Sequence, residues 1–214
     1  MGPRNQLPDY ELNQPGLRSG LTTTCSAILL WALPIAGGAQ SSDPMDVMSK
    51  LDFHARNVGS PWALAETAAY AGILQGLDTP REWGLGADSY GKRFASALGG
   101  SAIHGALAFG LDSTLHQDPR YYRSGNTGFG RRMAHAFRGT ILTRTDSGRE
   151  TVSTWRLGSA YGAAFLTNEW YPDRVNTVRL GALQGSLHFG FDFVSNIGAE
   201  FWPDVKQKLF HRKP

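Results

Sequence analysis

The fold expected for this chain follows from one stretch, Arg179-Leu-Gly-Ala-Leu-Gln-Gly-Ser-Leu-His-Phe-Gly-Phe-Asp192. Alanine, leucine and glutamine favour a helix, and the stretch contains no β-branched residue. Gly181 and Gly185 stand four positions apart, so a helix places both on one face, where a second helix can approach closely. Because a glycine inside a helix costs about 1 kcal/mol relative to alanine, this repeated use predicts close helix packing.

Three further segments align with this one and predict four Gly/Ala-rich helices, at about 61–77, 89–117, 155–170 and 174–201. The alignment puts four carboxylates at one equivalent place: Asp78, Asp112, Glu169 and Asp192. The alternative interpretation is that Gly/Ala-rich helices resemble one another by composition alone. The residue before a proline avoids the helical region, so the proline after each segment predicts a helix end. These prolines are Pro80, Pro119, Pro172 and Pro203.

Shorter elements account for the rest of the chain. Asp43-Pro44 offers a cap and a first-turn proline for a short helix over 43–58. A short basic helix is predicted over 129–139, and alternating residues around Asp146-Ser-Gly148 predict a small hairpin within 140–155. The predicted fold class is therefore mainly α, a compact bundle of about four helices with a small β-hairpin.

The N-terminal region has the features of a secretory signal. The run Ser26–Ala36 is apolar, and the small residues Gly37 and Ala39 precede the polar Gln40. The run is shorter than the roughly 20 residues that a membrane span needs. We predict a signal peptide over 1–39, with an uncleaved anchor as the alternative. An N-terminal extension (40–58), a helical domain (59–205) and a basic tail (206–214) then follow.

The composition excludes several classes of protein. A single cysteine allows neither a disulfide framework nor a Cys-ligated metal site. The formal net charge of +3 is too mild to indicate nucleic-acid binding. The chain contains no phosphate-binding glycine loop with lysine, no Gly-x-Ser-x-Gly and no His-Glu-x-x-His motif. No cofactor is predicted and no class of enzyme is indicated.

Carboxylates and histidines nevertheless share faces of the second and fourth predicted helices. Facing helices of a bundle build metal sites from such side chains. The resulting hypothesis is a metal-dependent hydrolase or metal-binding protein, and the alternative is a solvated or ion-paired helix face. The candidate residues are Asp112, His116, Glu169, His188 and Asp192.

A basic stretch suggests a different kind of site. Seven arginines lie between residues 120 and 149, beside an apolar row formed by Met133, Phe137 and Ile141. Basic amphipathic helices of this type bind anionic membrane surfaces. Contact with such a surface is predicted through Arg131, Arg132 and Arg138, and the alternative is an ordinary solvated loop.

Only residues 94–111 form a serious candidate for a membrane span, because they contain no charged residue. The fourth predicted helix carries Gln184, His188, Asp192 and Asn196, which are costly in lipid. We therefore expect a compact helical domain that rests on a membrane rather than four spans.

Three short motifs complete the sequence evidence: Asp118-Pro-Arg-Tyr-Tyr122, Trp170-Tyr-Pro172 and Glu200-Phe-Trp-Pro-Asp204. In combination, the chain over about 60–205 resembles a family of uncharacterised secreted proteins of soil acidobacteria. The resemblance implies an envelope location and no activity. The function predicted first is a non-enzymatic exported protein, in the periplasm or associated with the outer membrane of a bacterium. Its expected partner is an anionic membrane surface or an envelope protein, and not a nucleic acid.

Overall fold

A computed structural model describes residues 43–210 of the chain. Over this range the protein forms six α-helices and one two-stranded antiparallel sheet, which confirms a mainly helical fold. The predicted signal peptide and the end of the basic tail lie outside the described residues. The elements are α1 (Val47–Gly59), α2 (Pro61–Gly76), α3 (Ala87–Thr114), α4 (Phe129–Ile141), β1 (Leu142–Arg144), β2 (Glu150–Val152), α5 (Thr154–Asn168) and α6 (Val178–Phe210), with a 3-10 turn at Arg81–Trp83.

The expected bundle of four helices is wrong in its count, because α1 and α4 are also full members of the helical body. α1 packs against α3, and α4 packs against α6. α1 is capped by Asp46, which accepts a hydrogen bond from the Ser49 backbone at 2.7 Å, and not by Asp43. Ser60 separates α1 from α2 and caps α2, with Pro61 at the first helical position.

Three of the four prolines follow helix ends as predicted, and Pro203 does not. Pro203 lies inside α6, which continues to Phe210. Pro203 removes the helical hydrogen bond to the carbonyl group four residues earlier, which is that of Ala199. The Arg132 guanidinium, from α4, donates a hydrogen bond to the next carbonyl oxygen along α6, that of Glu200. The turn before the proline is therefore held to the neighbouring helix.

α5 lies between α3 and α6 and runs antiparallel to both. A Cβ atom added to Gly158 would stand 2.6 Å from Cδ1 of Leu111, and one added to Gly185 would stand 2.5 Å from Cδ1 of Tyr161. Real Cβ atoms essentially never approach so closely, so a side chain at either position would force its neighbour to shift. The end of the flexible Leu111 side chain can move more easily than the Tyr161 ring, so the requirement for glycine is stronger at Gly185. The predicted close contacts are confirmed at these positions, whereas Gly72 has no atom within 4 Å of an added Cβ.

The predicted hairpin is confirmed. β1 pairs with β2 in the register Leu142 to Val152, Thr143 to Thr151 and Arg144 to Glu150. Gly148 in the connecting turn has a φ of 82°, which a side chain would disfavour. The hairpin joins α4 to α5 and lies beside the end of α3, where Gln117 forms a bridge to Thr145.

Candidate functional site

The polarity of this protein is inverted relative to a typical water-soluble domain. Among residues 43–208, the buried hydrophobic side chains are those of alanines and of one tryptophan, Trp155. The largest fully buried side chains include Arg93, Lys50 and Glu200, which are charged residues. Large apolar side chains remain on the outside instead, where soluble proteins place few of them in one region. Examples are Trp62, Leu157, Phe165, Leu166, Leu183 and Leu187.

Many of the exposed apolar residues form one surface, which we call the apolar belt. It is the outward side of residues 94–111 of α3, 157–168 of α5 and 180–191 of α6. The sequence has no Asp, Glu, Lys or Arg in these three ranges. Exposed members of the belt include Ala95, Ala102, Ala106, Leu157, Phe165, Leu166, Leu183 and Leu187.

Charged residues gather at the two ends of the belt. At one end, which we call the loop end (77–86 and 169–177), Arg174 donates to Glu82 at 2.5 Å. In the same place Trp83 stacks on Tyr171 with ring centroids 5.3 Å apart. The other end, the basic end (118–152 and 196–208), carries seven arginines and two carboxylates between residues 120 and 150. Aromatic residues at the edge of an apolar zone are typical of membrane interfaces.

One helix within residues 43–210 meets the length and composition expected of a membrane span. This helix is α3, Ala87–Thr114. Length and apolar composition alone are weak evidence, because buried core helices share them, but few residues of the apolar window of α3 are buried.

The predicted polar row on α6 faces the other helices over part of its length. The imidazole of His188 stacks on His104 of α3, with ring centroids 5.5 Å apart and planes 13° apart. Nε2 of His104 lies 3.2 Å from Oγ of the buried Ser159. One turn further along α6, the Oδ2 atom of Asp192 is buried and has no hydrogen-bond partner.

The five candidate metal ligands do not converge. Asp112 is fully buried and its Oδ2 lies 2.6 Å from Nε2 of His54, which belongs to α1. His116 is an exposed residue beside Asp146. Glu169 is exposed at the C-terminal end of α5, and that helix runs opposite to α3. Within residues 43–210 no group of three His, Cys, Asp or Glu side chains is placed to hold a metal ion.

The repeat alignment therefore misplaces these residues for a physical reason. Asp112 ends α3 at the basic end, whereas Glu169 ends an antiparallel helix at the loop end. Equivalent positions in the sequence thus become opposite positions in space. The structure pairs His188 with His104, but it does not bring either of them to Asp112.

The predicted anionic-surface residues separate into two groups. Arg131 and Arg138 are exposed, and Arg138 donates to Glu150 at 2.5 Å. Arg132 is buried between α4 and α6, where it pairs with Glu200 and Asp204, so its assignment to a membrane-facing surface is wrong. Adjacent residues of a helix point about 100° apart, so Arg131 and Arg132 do not share a face. The exposed arginines of this region are Arg123, Arg131, Arg138, Arg144 and Arg149.

Glu200 joins two of the sequence motifs at the basic end. It accepts hydrogen bonds from Oη of Tyr121 at 2.9 Å and from the Ser124 backbone at 3.1 Å. Desolvation raises the pKa of Glu200, but hydrogen bonds from Ser124, Tyr121 and Arg132 together lower it below its ordinary value. The carboxylate is therefore held in its charged form and connects the chain after α3 to the end of α6.

Asp118 is likewise a carboxylate that several donors hold in its charged form, here within the motif Asp118–Tyr122. Its side chain accepts hydrogen bonds from the backbone and guanidinium of Arg120 and from Oη of Tyr122, the last at 2.7 Å. Desolvation raises the pKa of Asp118, and these hydrogen bonds lower it by more, so the net pKa is below the ordinary value. Both carboxylates have their acceptor positions occupied, which assigns them a structural role.

Sequence analysis missed several buried ionisable residues, among them Lys50, His54 and Arg93. Nζ of Lys50 lies 2.9 Å from Oδ1 of Asp146, and His54 pairs with Asp112, so one face of α1 is attached to α3 and the hairpin by polar contacts. Arg93 is fully buried and donates to the carbonyl oxygens of Thr79, Pro80 and Gly84, which fixes the loop after α2. The spacing of Lys50 and His54, four positions apart on a predicted helix, was the available signal.

Comparisons with families of known proteins, with characterised proteins and with solved structures find no match to this chain. The fold and the surface together define a class of protein: a helical protein with a polar interior and an apolar belt. The resemblance to secreted acidobacterial proteins stays a prediction.

Proposed function

We propose that this protein is a non-enzymatic, exported helical protein of the bacterial cell envelope that lies in a membrane through its apolar belt. Its basic end would contact the anionic head groups of that membrane. The observation that carries the proposal is the inverted polarity: three neighbouring helices expose apolar residues over charge-free ranges, while alanines and small polar side chains are buried beneath them and charged side chains are buried towards the ends.

The energetics of packing support a location in lipid. Burial of a large apolar side chain away from water contributes about 1.5–3 kcal/mol, and the buried alanines of this core supply much less. Helices in membranes associate through small residues and polar contacts, because lipid removes the hydrophobic drive between them. The contacts of Gly158 with Leu111 and of Gly185 with Tyr161 are of this kind.

The polar residues of α6, which argued against a membrane from sequence alone, are partly accounted for by their partners. Nδ2 of Asn196 is buried and donates to Oγ1 of Thr140 at 2.9 Å. His188 is exposed on one side and stacks on His104 on the other. Polar side chains inside membranes face neighbouring helices, as one side of His188 does here, whereas Asn196 lies at the basic end.

Export is the second part of the proposal, and it rests on the predicted signal peptide. We expect cleavage after Ala39, so that the mature protein begins at Gln40. Intact-mass measurement of the protein from its native host tests this, and a retained N-terminal segment would contradict it.

Membrane extraction tests the location. The membrane fraction is washed with high salt and with alkaline carbonate and is then treated with mild detergent. We expect the protein to remain in the pellet after both washes and to enter the supernatant only with detergent. Release by salt alone would limit the contact to the basic end, and recovery in the soluble fraction would contradict the proposal.

A further inference from the structure

α4 brings apolar side chains to the edge of the apolar belt. Phe129, at the start of α4, packs on Phe201, and Phe137, two turns later, packs on Phe193 with ring centroids 5.6 Å apart. α4 therefore runs antiparallel to α6 and towards the belt, whose range on α6 ends at residue 191. Phe137 is 54% exposed, and the exposed Ile141 follows it by one turn. These two side chains continue the apolar surface of the belt onto α4.

A small cleft opens next to these apolar residues. It measures about 60 Å³ and lies between the last turns of α4 and the outer face of the hairpin. A water molecule in the liquid occupies about 30 Å³, so the cleft admits a small polar group and not a whole lipid. Three arginines and one carboxylate are among the described residues that line it: Arg120, Arg138, Arg144 and Glu150.

The arginines of this cleft exceed their carboxylate partners by one. Arg120 pairs with the buried Asp118, so that pair adds no net charge. Glu150 pairs with Arg138, and both side chains are more than half exposed, so water weakens this pair. Arg144 stands opposite Glu150 in the hairpin register, yet it forms no ion pair within residues 43–208. One carboxylate therefore serves two arginines, and the cleft keeps a positive charge.

The C-terminal end of α4 carries partial negative charge, but its carbonyl groups are already bound. The carbonyl oxygen of Gly139 accepts a hydrogen bond from the Arg156 guanidinium at 2.8 Å. The carbonyl oxygen of Ile141 accepts one from the Ser153 backbone, also at 2.8 Å. The end of α4 therefore does not cancel the positive charge of the cleft.

We propose that this cleft binds the phosphate of an anionic phospholipid between Arg138 and Arg144, while the acyl chains lie on the belt beside Phe137 and Ile141. The inference rests on the proposed membrane location and deepens it, because it names the lipid class and the place that holds it. Guanidinium groups match the geometry of phosphate oxygens. The adjoining apolar residues favour a lipid over a free phosphate, and the excess positive charge favours an anionic lipid over a zwitterionic one.

The binding experiment uses the full chain in a neutral detergent. Short-chain phosphatidylglycerol, short-chain phosphatidylcholine and inorganic phosphate are titrated separately, and bound lipid is measured by native mass spectrometry. We expect phosphatidylglycerol to bind more tightly than phosphatidylcholine, and inorganic phosphate to displace it only weakly. The preference between the lipids should shrink at high salt, because the charges of an exposed site are screened.

Two charge variants should shift the Kd for phosphatidylglycerol in opposite directions. Arg144→Gln should raise it about fivefold, which corresponds to the roughly 1 kcal/mol that a basic residue contributes near an anionic surface. Glu150→Gln removes the carboxylate that competes for Arg138, so it should lower the Kd. Arg81→Gln is the control, because it removes one exposed charge at the loop end and should leave the Kd unchanged.

A third variant separates the acyl contact from the head-group contact. Ile141→Ser should weaken the binding of both lipids by a similar factor and leave any binding of inorganic phosphate unchanged. Circular dichroism and the melting temperature of each variant show whether it folds as the parent does.

Four results would overturn the inference: equal binding of the two lipids, equal effects of Arg144→Gln and Arg81→Gln, weaker lipid binding by Glu150→Gln, or full displacement of the lipid by inorganic phosphate at equal concentration. The last result would assign the cleft to a free anion. Failure of the proposed membrane location is distinguishable, because the carbonate and detergent extraction measures retention by the apolar belt without reference to lipid charge.

Discussion

The middle of the molecule and its basic end are held together by different means. In the middle, α5 packs closely on α3 and α6, because Gly158 leaves room for Leu111 and Gly185 leaves room for Tyr161. The outward surface of these three helices carries no Asp, Glu, Lys or Arg in the belt ranges. At the basic end, Asp118 and Glu200 organise the loop, α4 and the end of α6 by charged hydrogen bonds. In the middle, where apolar groups face outward, the helices are held by the fit of side chains against glycines. At the basic end, where arginines are exposed, the elements are held by charged hydrogen bonds.

Removal of Glu200 should give the largest effect, because it breaks the basic end. Glu200 is 1% exposed, and Glu200→Ala leaves Arg132 buried without its full set of partners. Breaking a buried ion pair from one side costs about 3–5 kcal/mol. Thermal unfolding in mild detergent, followed by tryptophan fluorescence, measures the loss.

Glu150→Ala is the matched control for that variant. Glu150 pairs with Arg138 on the surface of the same region, where both side chains are more than half exposed. Exposed pairs contribute at most about 1 kcal/mol. If both variants lost the same small amount, the charged network would not be what holds the basic end together.

A charge placed on the belt should give the next largest effect. Leu166 and Val152 are each 49% exposed, but Leu166 belongs to the belt and Val152 to β2 at the basic end. A lysine costs about 2.5–3.5 kcal/mol in the middle of a membrane helix and less towards its end. Leu166 lies two residues before the end of α5, so Leu166→Lys should cost part of this amount and reduce membrane retention. Val152→Lys should leave retention unchanged. Identical retention of the two variants would count against a belt in contact with lipid.

The middle of the molecule was the more predictable region. Its helices follow from local composition, and the spacing of Gly181 with Gly185 indicated close approach, which the structure confirms. Local patterns extend over a few turns, and these contacts depend only on which face of a helix carries small residues. Local patterns do not give the direction in which α5 runs, and that direction places Glu169 at the opposite end of the bundle from Asp112.

The basic end was much less predictable. The partners Tyr121 and Glu200 are 79 positions apart, and no local pattern indicates that they meet. Arg132 looked like its neighbour Arg131 in the sequence, and only the packing of α4 on α6 decides which of them is buried. Pro203 was expected to end α6 because a proline usually ends a helix, and no local pattern indicates that α4 packs on α6 beside it.

Two glycine variants test whether close helix packing holds the middle of the molecule together. Gly185→Ala would place its Cβ 2.5 Å from Cδ1 of Tyr161, and overpacking of this kind costs about 1–3 kcal/mol. Gly190 lies five residues further along α6 with nothing within 4 Å of an added Cβ. Gly190→Ala should therefore stabilise the helix, by up to about 1 kcal/mol. Melting temperatures that shift in the same direction would mean that glycine packing is not what separates these positions.

The smallest expected effect concerns the pH dependence of the basic end. The pKa of Asp118 is lowered in the folded protein, on balance, from its ordinary value of 3.8. The folded state therefore binds the proton less readily than the unfolded chain does. It follows that Asp118 contributes stability above about pH 4 and that this contribution is lost as the pH falls through the folded-state pKa.

Asp118→Asn tests this directly. The Arg120 backbone donates to Oδ1 of Asp118 and Tyr122 donates to Oδ2, and the single amide oxygen of an asparagine can replace only one of these two acceptors. The variant should therefore lose stability at neutral pH through one missing acceptor and through the charge-assisted part of the remaining hydrogen bonds. The melting temperature of the variant should also fall less steeply than that of the parent as the pH is lowered below 4. Asp52→Asn is the control, because Asp52 forms an exposed pair with Arg56 one turn away on α1. If the Asp118 variant kept the full acid dependence of the parent, the charge of Asp118 would contribute no stability, and the hydrogen bonds alone would hold this loop.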